Sequence, residues 1–594
     1  MRAVDQDGDD DRSLLIVYAT ETGNAQDAAD YIARQCRRIA FHCRVASIEQ
    51  TSLMDLVSEG IVIFVVSTTG SGVEPRSMTP LWNDLLRHLP PDTYEDLPFA
   101  VFGLGDTSYE KFCWAAKKLS RRLQSLGASE FYQRGEGDEQ HPLGIDGALQ
   151  PWTDGLLDTL LEHFPLPPGV GITSVDDIPP PRVLLTPALK DDINLAKDPL
   201  QIDLQYHKGT IKTNERITAP DWYQDVRHLE FEFEEDIKYN PGDVAVIHPS
   251  ASDSDTNAFL SMLKWDSEAD DPFEIKQSMF DQSLPDHLPT YATMRILFSR
   301  FLDFNAIPRR SFFQLIRHFT SDEREREKLD EFLTLEGVDE LYDYCYKVRR
   351  TIQEVLDEFR HVKIPRDYIF DVFPALRPRE FSIASSVKKH PREIHLCVAI
   401  VKYRTKLKIP RKGVCTSYLS LLKPGDSNQV GIKKGLLKLP ENPDTPVICV
   451  GPGTGIAPMR SVIEQRIDAG AHLNVLYFGC RSSSKDQHFG DEWRSYERDQ
   501  NLQYRTAFSR DGPEGVKRIY VQDLIRDDAE HIWRLVGEQK GWVLISGSSN
   551  KMPAAVKEAI AFAAETHGGF SAEEAKQYVH SMVKEGRLIE ECWS

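Results

Sequence analysis

The run of β-formers Pro446-Val447-Ile448-Cys449-Val450 breaks into Gly451-Pro452-Gly453-Thr454-Gly455-Ile456-Ala457-Pro458 and then into a helical stretch at residues 459–466. Three glycines within five residues let the backbone come close to a ligand, and the helix start behind them offers free amide donors. This pattern predicts a diphosphate site on a parallel α/β sheet. Because such a turn also arises for purely structural reasons, the motifs upstream decide between the two interpretations.

The composition indicates a globular protein of several domains. Its 594 residues predict roughly three or four domains, and 41% hydrophobic and 27% charged residues are ordinary for folded chains. A net charge of -21 disfavours nucleic acid and anionic membranes as partners. The amino end has no apolar signal segment and no uncharged stretch approaches the length of a membrane span, so we expect no membrane anchor.

The cysteine pattern disfavours a bound metal. No C-x-x-C pair occurs and the histidines show no cluster at ligand spacing, so neither a zinc site nor an intrinsic iron–sulfur cluster is predicted. An odd, unpatterned set of cysteines suits a reducing compartment. The nine are Cys36, Cys43, Cys113, Cys345, Cys397, Cys415, Cys449, Cys480 and Cys592.

The first part of the chain alternates strand and helix signals. Short continuous apolar runs at residues 14–18, 61–66 and 99–102 are typical of parallel strands buried on both faces. Between the first two, small and apolar residues recur at helical spacing from Ala25 to Cys36. A doubly wound sheet over residues 13–163 is predicted.

The rest of the chain reads as a linker followed by two further domains. Proline-rich, polar residues without periodicity at 164–205 predict the linker. Antiparallel strand patterns then surround helical material at about 253–358, which predicts a β-barrel with a helical insertion over residues 206–435. Residues 436–594 return to the strand–helix alternation of a parallel α/β domain.

Three loops follow strands of the first domain. Thr20-Glu21-Thr22-Gly23-Asn24-Ala25 opens into a helix, and its hydroxyls and amides suit a phosphate monoester, although a simple Thr N-cap would look similar. Two more loops lie at carboxyl ends of predicted strands, the edge where ligands of open α/β sheets bind. They are Ser67-Thr68-Thr69-Gly70-Ser71-Gly72 and Gly103-Leu104-Gly105-Asp106-Thr107-Ser108-Tyr109.

With these loops, the segment from Leu14 to about Pro165 resembles flavodoxin. The resemblance implies an FMN domain in which Tyr109 stacks on the isoalloxazine ring and the phosphate is held by Thr20, Thr22, Gly23, Asn24 and Ala25. Glu21, residues 67–70 and residues 103–106 are further candidate FMN-binding residues. It also places Asp138 and Glu139 near the flavin edge.

Two departures from the family pattern concern FMN affinity. Thr69 stands where reductases of this type often have a second aromatic residue, and Val73-Glu74-Pro75-Arg76 replaces an acidic run. We therefore expect one face of the flavin ring to be barer and FMN to be held less tightly.

A second dinucleotide clamp is predicted in the barrel. The strand motif Arg377-Pro378-Arg379-Glu380-Phe381-Ser382-Ile383-Ala384-Ser385-Ser386 precedes the helix start Gly413-Val414-Cys415-Thr416-Ser417-Tyr418-Leu419. Arg379 offers a charged fork to a diphosphate, and the helix start offers amides and hydroxyls from the other side. Each half alone is a weak signal, since an Arg on a strand is usually solvated and such helix starts are usually caps.

Together the two motifs resemble those of the ferredoxin–NADP reductase superfamily, which implies FAD. By that resemblance Arg379, Glu380, Phe381, Ser382 and residues 413–416 bind FAD, with Ser382 near flavin N5. It also makes Ser382, Glu591 and Trp593 the catalytic group, with Trp593 over the flavin face where nicotinamide enters. Ser546-Gly547-Ser548 stands where many relatives have Cys-Gly-Asp, a departure that concerns the hydride-transfer relay rather than the binding of the cofactors.

The carboxy-terminal motifs point to NADPH. The loop at 451–458, including Gly453, Thr454 and Gly455, is joined by Gly479-Cys480-Arg481, Phe508-Ser509-Arg510 and Lys517-Arg518-Ile519-Tyr520-Val521-Gln522 at ends of predicted strands. As isolated surface charges these would carry no information. The resemblance to the superfamily implies that Ser509, Arg510 and Arg518, or Lys517 in its place, bind the 2′-phosphate of NADPH and that Tyr520 lies against the adenine. Arg481 and Gln522 are further candidate cofactor-binding residues.

The order of these domains resembles the diflavin reductases. The fold class is therefore a flavodoxin-like doubly wound domain, a ferredoxin–NADP reductase-like β-barrel with a helical insertion, and a C-terminal α/β nucleotide-binding domain. Electrons are expected to pass from NADPH to FAD to FMN, with the linker letting the FMN domain move.

Within that family the chain is most similar to the branch that serves cytosolic iron–sulfur assembly. Matching segments lie at residues 307–313, 349–352 and 443–448. The resemblance implies an iron–sulfur scaffold protein of the anamorsin type as acceptor and a part in diferric cofactor assembly of ribonucleotide reductase. It implies a cytoplasmic location and leaves a mitochondrial one open.

Two rival interpretations remain at this point. One is a soluble reductase for a cytochrome P450, a sulfite reductase or another haem acceptor. The other is an interaction protein whose flavin sites have decayed. The altered loop at residues 69–76 suggests this interpretation, and a colourless purified protein would support it.

Overall fold

The structure, a computed structural model, describes residues 12–69, 72–109, 111–195, 198–279, 281–334, 336–405, 408–512, 518–548 and 551–593, without the side chains of Asp192, Asn194, Leu195 and Trp593. The chain divides into two compact units. The first contains the described residues within 1–197, 251–377 and 405–409, and the second those within 198–250, 378–404 and 410–594.

The first unit begins with a parallel sheet of strand order β2-β1-β3-β4-β5, with β6 also paired to β4. Its strands and helices are β1 (Ser13–Ala19), α1 (Asn24–Arg38), β2 (His42–Ser47), α2 (Leu53–Val57), β3 (Val62–Ser67), α3 (Thr79–Leu85), β4 (Pro98–Gly105), α4 (Trp114–Ser125), β5 (Ser129–Glu130), β6 (Gly135–Asp138) and α5 (Asp146–His163).

Helices cover both faces of this sheet, which explains the apolar strands. Ile16, Val65 and Phe102 pack on the side of α1 and α5, whereas Val17, Phe64 and Val101 pack on the side of α3 and α4. The doubly wound arrangement predicted from the sequence is thus confirmed. Because all the strands are parallel, the loops after β1, β3 and β4 end at one edge of the sheet.

The first unit also contains a three-stranded sheet and a helical insertion. Its elements are β7 (Val183–Pro187), α6 (Lys190–Leu195), α8 (Asp253–Met262), β11 (Phe273–Gln277), β12 (Tyr291–Ala292), α9 (Met294–Arg300), α10 (Arg310–Ile316), α11 (Glu323–Phe332), α12 (Val338–Leu341), α13 (Ile352–Glu358) and α14 (Ile369–Val372). Aromatic rings fill the core of the insertion, with Phe259 stacked on Phe304 at 4.4 Å.

Two boundaries differ from the sequence prediction. The segment 164–205, predicted to be a linker throughout, contains β7, which pairs with β11 and buries Val183 in the core of the insertion. Its proline-rich flanks hide this short strand from a composition argument. The insertion also continues past residue 358 to α14, whose Ile369 and Phe370 belong to the same core.

Buried ion pairs join the flavodoxin-like module to the insertion. Arg182 pairs with Asp30 of α1 at 3.1 Å and with Asp371 of α14 at 3.2 Å, and Ser283 also donates to Asp30. Elsewhere in the same interface Arg309 pairs with Asp146. Burial raises the pKa of Asp371, and the positive charge of Arg182 acts against that rise.

The second unit starts with an antiparallel barrel. Its elements are α7 (Pro199–Ile202), β8 (Tyr206–Arg216), β9 (Val226–Phe233), β10 (Val244–Ile247), β13 (Arg379–Ser382), β14 (Glu393–Ala399), β15 (Lys402–Arg404), β16 (Pro410–Lys412), α15 (Val414–Leu421) and β17 (Ser427–Lys433). The sheet order is β13-β10-β17-β8-β9-β14, and a bridge between Ile383 and Leu396 joins its two edges. The predicted barrel is confirmed.

The second unit ends in a parallel sheet of order β20-β19-β18-β21-β22. Its elements are β18 (Val447–Val450), α16 (Ile456–Asp468), β19 (Asn474–Cys480), α17 (Gly490–Arg498), β20 (Gln503–Phe508), α18 (Val521–Asp527), α19 (Ala529–Trp533), β21 (Trp542–Ser548), α20 (Lys551–His567), α21 (Ala572–Lys584) and β22 (Leu588–Trp593). The predicted second α/β domain is therefore present.

A polar network lies where β14 packs against α16. His395 is 2% exposed, and its two ring nitrogens lie 2.8 Å from Glu393 Oε2 and 3.2 Å from Arg460 Nη1. Since a guanidinium can only donate, Nδ1 accepts and Nε2 donates to Glu393. Arg460 also pairs with buried Glu464 at 3.0 Å.

Pairing of β9 with β14 also brings His228 close to His395, which is far from it in the sequence, while His390 lies in the turn before β14. The rings of His228 and His390 lie 5.1 Å and 4.4 Å from that of His395, near Glu230 and Glu393. The sequence predicted no such cluster, because the strand pairing that adds His228 and Glu230 is not visible in local spacing. Both nitrogens of His395 are engaged, so this imidazole has no lone pair left for a metal ion.

We expect this network to make the second unit acid-sensitive. Burial, aided by Arg460, lowers the pKa of His395 to about 4. Near pH 6.5 the unfolded chain therefore binds a proton at His395, whereas the folded chain does not. The contribution of this residue to the free energy of unfolding is fully present above that pH and is lost as the pH falls toward 4. Each pKa unit corresponds to about 1.4 kcal/mol.

Calorimetry between pH 7 and pH 5 tests this expectation. The melting temperature of the wild-type protein should fall more steeply with pH than that of His395→Gln. His580→Gln, at an exposed position on α21, is the matched control and should follow the wild type. Parallel pH profiles for wild type and His395→Gln would contradict the assignment.

Candidate functional site

The loop between β1 and α1 is built for an anion. Gly23 is the N-cap of α1 with φ +92°, and its N–H donates to Thr20 Oγ1 at 2.8 Å, which fixes the turn. Ala25 is fully buried and offers only its backbone amide, whereas Thr22 is exposed. Free amides of the first helical turn, with the helix dipole behind them, fit the phosphate of FMN.

Hydrogen bonds between loops hold the loop at residues 20–25, here called the phosphate cradle, in place. Glu21 accepts from the backbone N–H of Arg76 at 2.6 Å, and Asn24 donates to Glu139 at 3.0 Å. Ser67 donates to the carbonyl oxygen of Ala19 at 3.2 Å. The side chains of Glu21 and Ser67 therefore tie this loop to the loops beside it, a role that the sequence pattern does not distinguish from direct cofactor binding.

The loop after β3 lacks an aromatic residue at position 69. Thr69 donates from Oγ1 to the carbonyl oxygen of Val73 at 3.0 Å, which closes the turn on itself. Thr68 accepts from the N–H of Ala115 at the start of α4. Gly70 lies outside the described residues. The hydroxyl of Thr69 is used locally, so the expectation of a barer flavin face at this position stays a prediction.

The loop that carries Tyr109 is organised by two acids. Asp138 accepts from Thr107 through its N–H at 3.0 Å and its hydroxyl at 2.6 Å, and Asp106 accepts from the N–H of Ser108 at 2.7 Å. Although burial opposes it, these hydrogen bonds hold the pKa of Asp138 below its usual value. Both side chains thus orient the half-buried Tyr109 for stacking.

Two glycines at the end of β4 are needed for packing. A Cβ at Gly103 would lie 2.7 Å from the side chain of Ala116, and one at Gly105 would lie 2.8 Å from the backbone of Cys113. Leu104, between them, is 3% exposed. These positions let α4 approach the strand closely, which brings the Tyr109 loop to the sheet edge.

In the barrel, β13 and the start of α15 form the two predicted halves of the FAD clamp. Arg379 is exposed on β13, beside half-buried Phe381. Glu380 lies 3.3 Å from the ammonium group of Lys433, so it belongs to the barrel surface. An exposed guanidinium and an accessible aromatic ring on one strand fit a flavin dinucleotide.

The helix start at α15 offers backbone donors rather than side chains. The Gly413 N–H donates to the carbonyl oxygen of Val401 at 2.9 Å, and Thr416 Oγ1 accepts from the Val401 N–H at 3.0 Å. Cys415 is 5% exposed and packs in the barrel core. What remains for a diphosphate are amides of the first turn, including that of Val414.

Two members of the predicted catalytic group, Ser382 and Glu591, meet within the second unit. Ser382 donates to Glu591 Oε1 at 2.7 Å, and Glu591 is 5% exposed. Strand β22 pairs with β21 so that Glu591 lies opposite Ser546 and Trp593 opposite Ser548. The chain end is therefore held in a sheet, although the side chain of Trp593 lies outside the described part.

Ser546 gives a direct sign that a ligand fits here. Its side chain is fully buried, and within the described part of the chain its hydroxyl has no hydrogen-bond partner. A buried hydroxyl group without a partner costs about 1–3 kcal/mol. A polar nicotinamide or flavin edge arriving at this carboxylate–serine corner would satisfy it.

The glycine-rich loop adopts the form that the sequence predicts. Residues Gly453–Gly455 make a 3-10 turn between β18 and α16. A Cβ at Gly455 would lie 2.3 Å from the carbonyl oxygen of Ser546, whereas one at Gly453 would enter open space. Gly455 thus allows close packing on β21, and Gly453 with Thr454 forms the accessible side toward a dinucleotide.

An arginine cluster forms at the ends of β19 and β20. The Arg510 N–H donates to the Arg481 carbonyl oxygen at 2.8 Å, and Ser509 donates to that of Cys480. Burial, then the charges of Arg510 and Arg518, lower the pKa of Arg481. Arginines close enough to perturb one another fit a dianionic phosphate monoester.

Adenine-side residues lie beside this cluster. Tyr520 is 43% exposed and caps α18 through its N–H, which donates to Asp523. Gln522 is half-buried in the first turn of that helix, and Lys517 lies outside the described residues. Tyr223 was not predicted: its ring lies 4.9 Å from the Arg481 guanidinium, and no local motif marks it.

Two flavin-type sites followed by a dinucleotide site, each on its own domain, define the class of diflavin reductases. Family models match the same three regions: Flavodoxin at residues 16–152, FAD binding domain at 204–418 and Oxidoreductase NAD-binding domain at 449–558.

Curated relatives match over the whole chain. Proteins named NADPH-dependent diflavin oxidoreductase 1 are 40% identical in Cryptococcus neoformans and Xenopus laevis, covering 98% of this chain and 100% of those proteins. The Mus musculus protein of that name is 38% identical over 98% of this chain and 99% of its own. The chain belongs to the family of NADPH-dependent diflavin oxidoreductases.

Family membership confirms the fold class, the enzyme class and the cofactors FAD, FMN and NADPH. The individual site residues stay predictions that the geometry now makes specific. Within the described residues, no helix combines the length and apolar character needed to cross a bilayer.

Removing the Ser382–Glu591 hydrogen bond should slow hydride transfer more than it weakens binding. Ser382→Ala and Glu591→Gln each remove one partner, and we expect FAD reduction by NADPH to slow by at least about tenfold, equivalent to roughly 1.4 kcal/mol in the barrier. Anaerobic stopped-flow absorbance measures this rate. Unchanged rates with normal FAD content would remove both residues from the hydride-transfer step.

The arginine cluster should determine the preference for NADPH over NADH. Arg510→Ala and Arg518→Ala should each lower kcat/KM for NADPH by roughly ten- to a hundredfold, from about 1.5–3 kcal/mol per charged contact, and leave that for NADH nearly unchanged. Arg526→Ala, an exposed arginine on the neighbouring α18, is the control. Equal losses with both nucleotides would contradict the assignment.

Proposed function

We propose that this diflavin reductase delivers electrons from NADPH, through FAD and FMN, to an iron–sulfur scaffold protein of the anamorsin type in the cytoplasm. For the transfer of electrons from NADPH to FAD, the proposal rests on the hydrogen bond between Ser382 and Glu591, beside the buried hydroxyl of Ser546. The acceptor is supported by the full-length similarity to the diflavin oxidoreductase 1 proteins and by the segments at 307–313 and 443–448.

The cofactors supply the redox chemistry: NADPH gives a hydride, and the two flavins convert this electron pair into single-electron transfers. The residues of the chain position them. The arginine cluster binds the 2′-phosphate, and the Gly453–Gly455 turn lets the dinucleotide backbone approach α16. Glu591 accepts the hydroxyl hydrogen of Ser382 and so fixes the position of that side chain, which would lie beside the flavin when FAD is bound.

The flavodoxin-like module is the part of the protein from which electrons pass to the acceptor. Asp106 and Asp138 fix the loop that carries Tyr109, and Asn24 with Glu139 links the phosphate cradle to the flavin edge. These contacts would hold the surrounding loops in place around FMN when the flavin is bound.

A haem protein is the second candidate acceptor, since cytochrome P450 and sulfite reductases are served by reductases of the same domain order. The same proposal includes a contribution to the diferric cofactor of ribonucleotide reductase and leaves a mitochondrial population open. Only the acceptor distinguishes these functions, because electron input and flavin order are common to all of them.

Stopped-flow oxidation identifies the acceptor. Released flavins are first quantified by HPLC, and the NADPH-reduced protein is then mixed anaerobically with an oxidised anamorsin-type partner. We expect rapid reoxidation of FMN with loss of the oxidised cluster spectrum. The cluster-free partner is the control, and a cytochrome P450 is the competing acceptor.

Each outcome is decisive. FAD reduction without electron arrival at the iron–sulfur partner would keep the reductase and reject this acceptor. Faster reduction of the haem protein would favour the second candidate. A colourless protein would support the decayed-site interpretation instead.

A further inference from the structure

Arg377 is the last residue of the first unit before the chain enters β13, and its side chain lies on the phosphate loop of the flavodoxin-like module. The guanidinium donates to Gln26 Oε1 at 2.6 Å, to Asp27 Oδ1 at 2.8 Å and to the Gly23 carbonyl oxygen at 3.3 Å. A residue at the end of the insertion therefore grips the first turn of α1.

The guanidinium of Arg377 packs directly on Gly23. A Cβ at Gly23 would lie 2.0 Å from Cζ of Arg377, so a side chain there would displace the arginine. The φ of +92° is what favours glycine at this position. Arg377 thus covers the turn that presents amides to the FMN phosphate.

The positive charge of Arg377 affects phosphate binding because it lies beside the carboxylate of Asp27. This carboxylate lies in the first turn of α1, where it suits the helix dipole but stands near a bound phosphate dianion. At a rise of about 1.5 Å per residue, Asp27 and the amides of Gly23 to Ala25 are within one Debye length, about 8 Å at physiological salt. Without a counter-charge, Asp27 would repel the phosphate.

We propose that Arg377 is a positioning residue that strengthens FMN binding by neutralising Asp27 and covering the Gly23 turn. FMN retention then depends on contact between the flavodoxin-like module and the helical insertion. Because coupling free energies are reciprocal, bound FMN also favours that contact. The proposal does not depend on which acceptor the protein serves.

The test is FMN affinity in the full-length protein. Flavin-stripped Arg377→Ala, Asp27→Asn and the double variant are titrated with FMN, whose fluorescence quenching gives Kd at low salt. FAD content and melting temperature are recorded because Pro378 and Arg379 adjoin the changed position. Arg295→Ala is the control: it removes an insertion arginine that pairs with Asp270, away from the phosphate loop.

We expect Arg377→Ala to raise the Kd for FMN roughly tenfold, about one charged contact. The double variant should recover most of this loss, because the repelling carboxylate is gone. Asp27→Asn alone should bind FMN at least as tightly as wild type. The difference between Arg377→Ala and wild type should shrink in 1 M salt, where the Debye length is about 3 Å.

Several results would overturn the proposal. An unchanged Kd for Arg377→Ala removes the role altogether, and equal losses in the single and double variants show that packing rather than charge is responsible. Weakening by Arg295→Ala to the same extent shows a general effect of the insertion. If Arg377→Ala does not fold, Asp27→Asn still decides, since weaker FMN binding there contradicts charge neutralisation.

Discussion

The ion pair between Asp30 and Arg182 is the contact on which the first unit depends. Asp30 is 2% exposed on α1, and it binds Arg182 and both donors of Ser283, while Arg182 continues to Asp371 on α14. Removing one member of such a buried pair typically costs 3–5 kcal/mol, because the other charge stays behind without a partner. The same helix carries the FMN phosphate loop at its amino end.

This constraint gives the movement of the FMN domain a definite cost. The linker was expected to let the domain move freely, yet β7 within that segment is paired with β11, and Arg182 stands directly before it. Release of the module must rehydrate the carboxylates of Asp30 and Asp146 together with their arginines. Buried pairs of this kind hold one orientation until water can replace them, so the domain movement expected from the sequence would first have to break them.

Much of the candidate site could be predicted because its chemistry is local. The turn at Gly453 to Gly455 and the phosphate loop at Thr20 to Ala25 each combine a strand end, small residues and a helix start within a few residues, and hydrogen bonding within that span fixes their shape. The parallel strands could be predicted equally well from the sequence, because burial on both faces requires continuous apolar runs. The boundaries of the domains were harder to predict from the sequence, because β7 is too short to be recognised among the prolines that surround it.

The sequence by itself determined the domain order, the cofactor class and the candidate phosphate-binding residues, because these depend on backbone geometry encoded within short segments. Only the tertiary structure decided which distant groups meet: Ser382 with Glu591, Arg481 with Tyr223, His228 with His395, and Arg377 with Asp27. The physical reason is that burial and charge compensation act through space. A carboxylate chooses its partner by what the packed chain brings within a few ångströms, and no spacing along the chain records that distance.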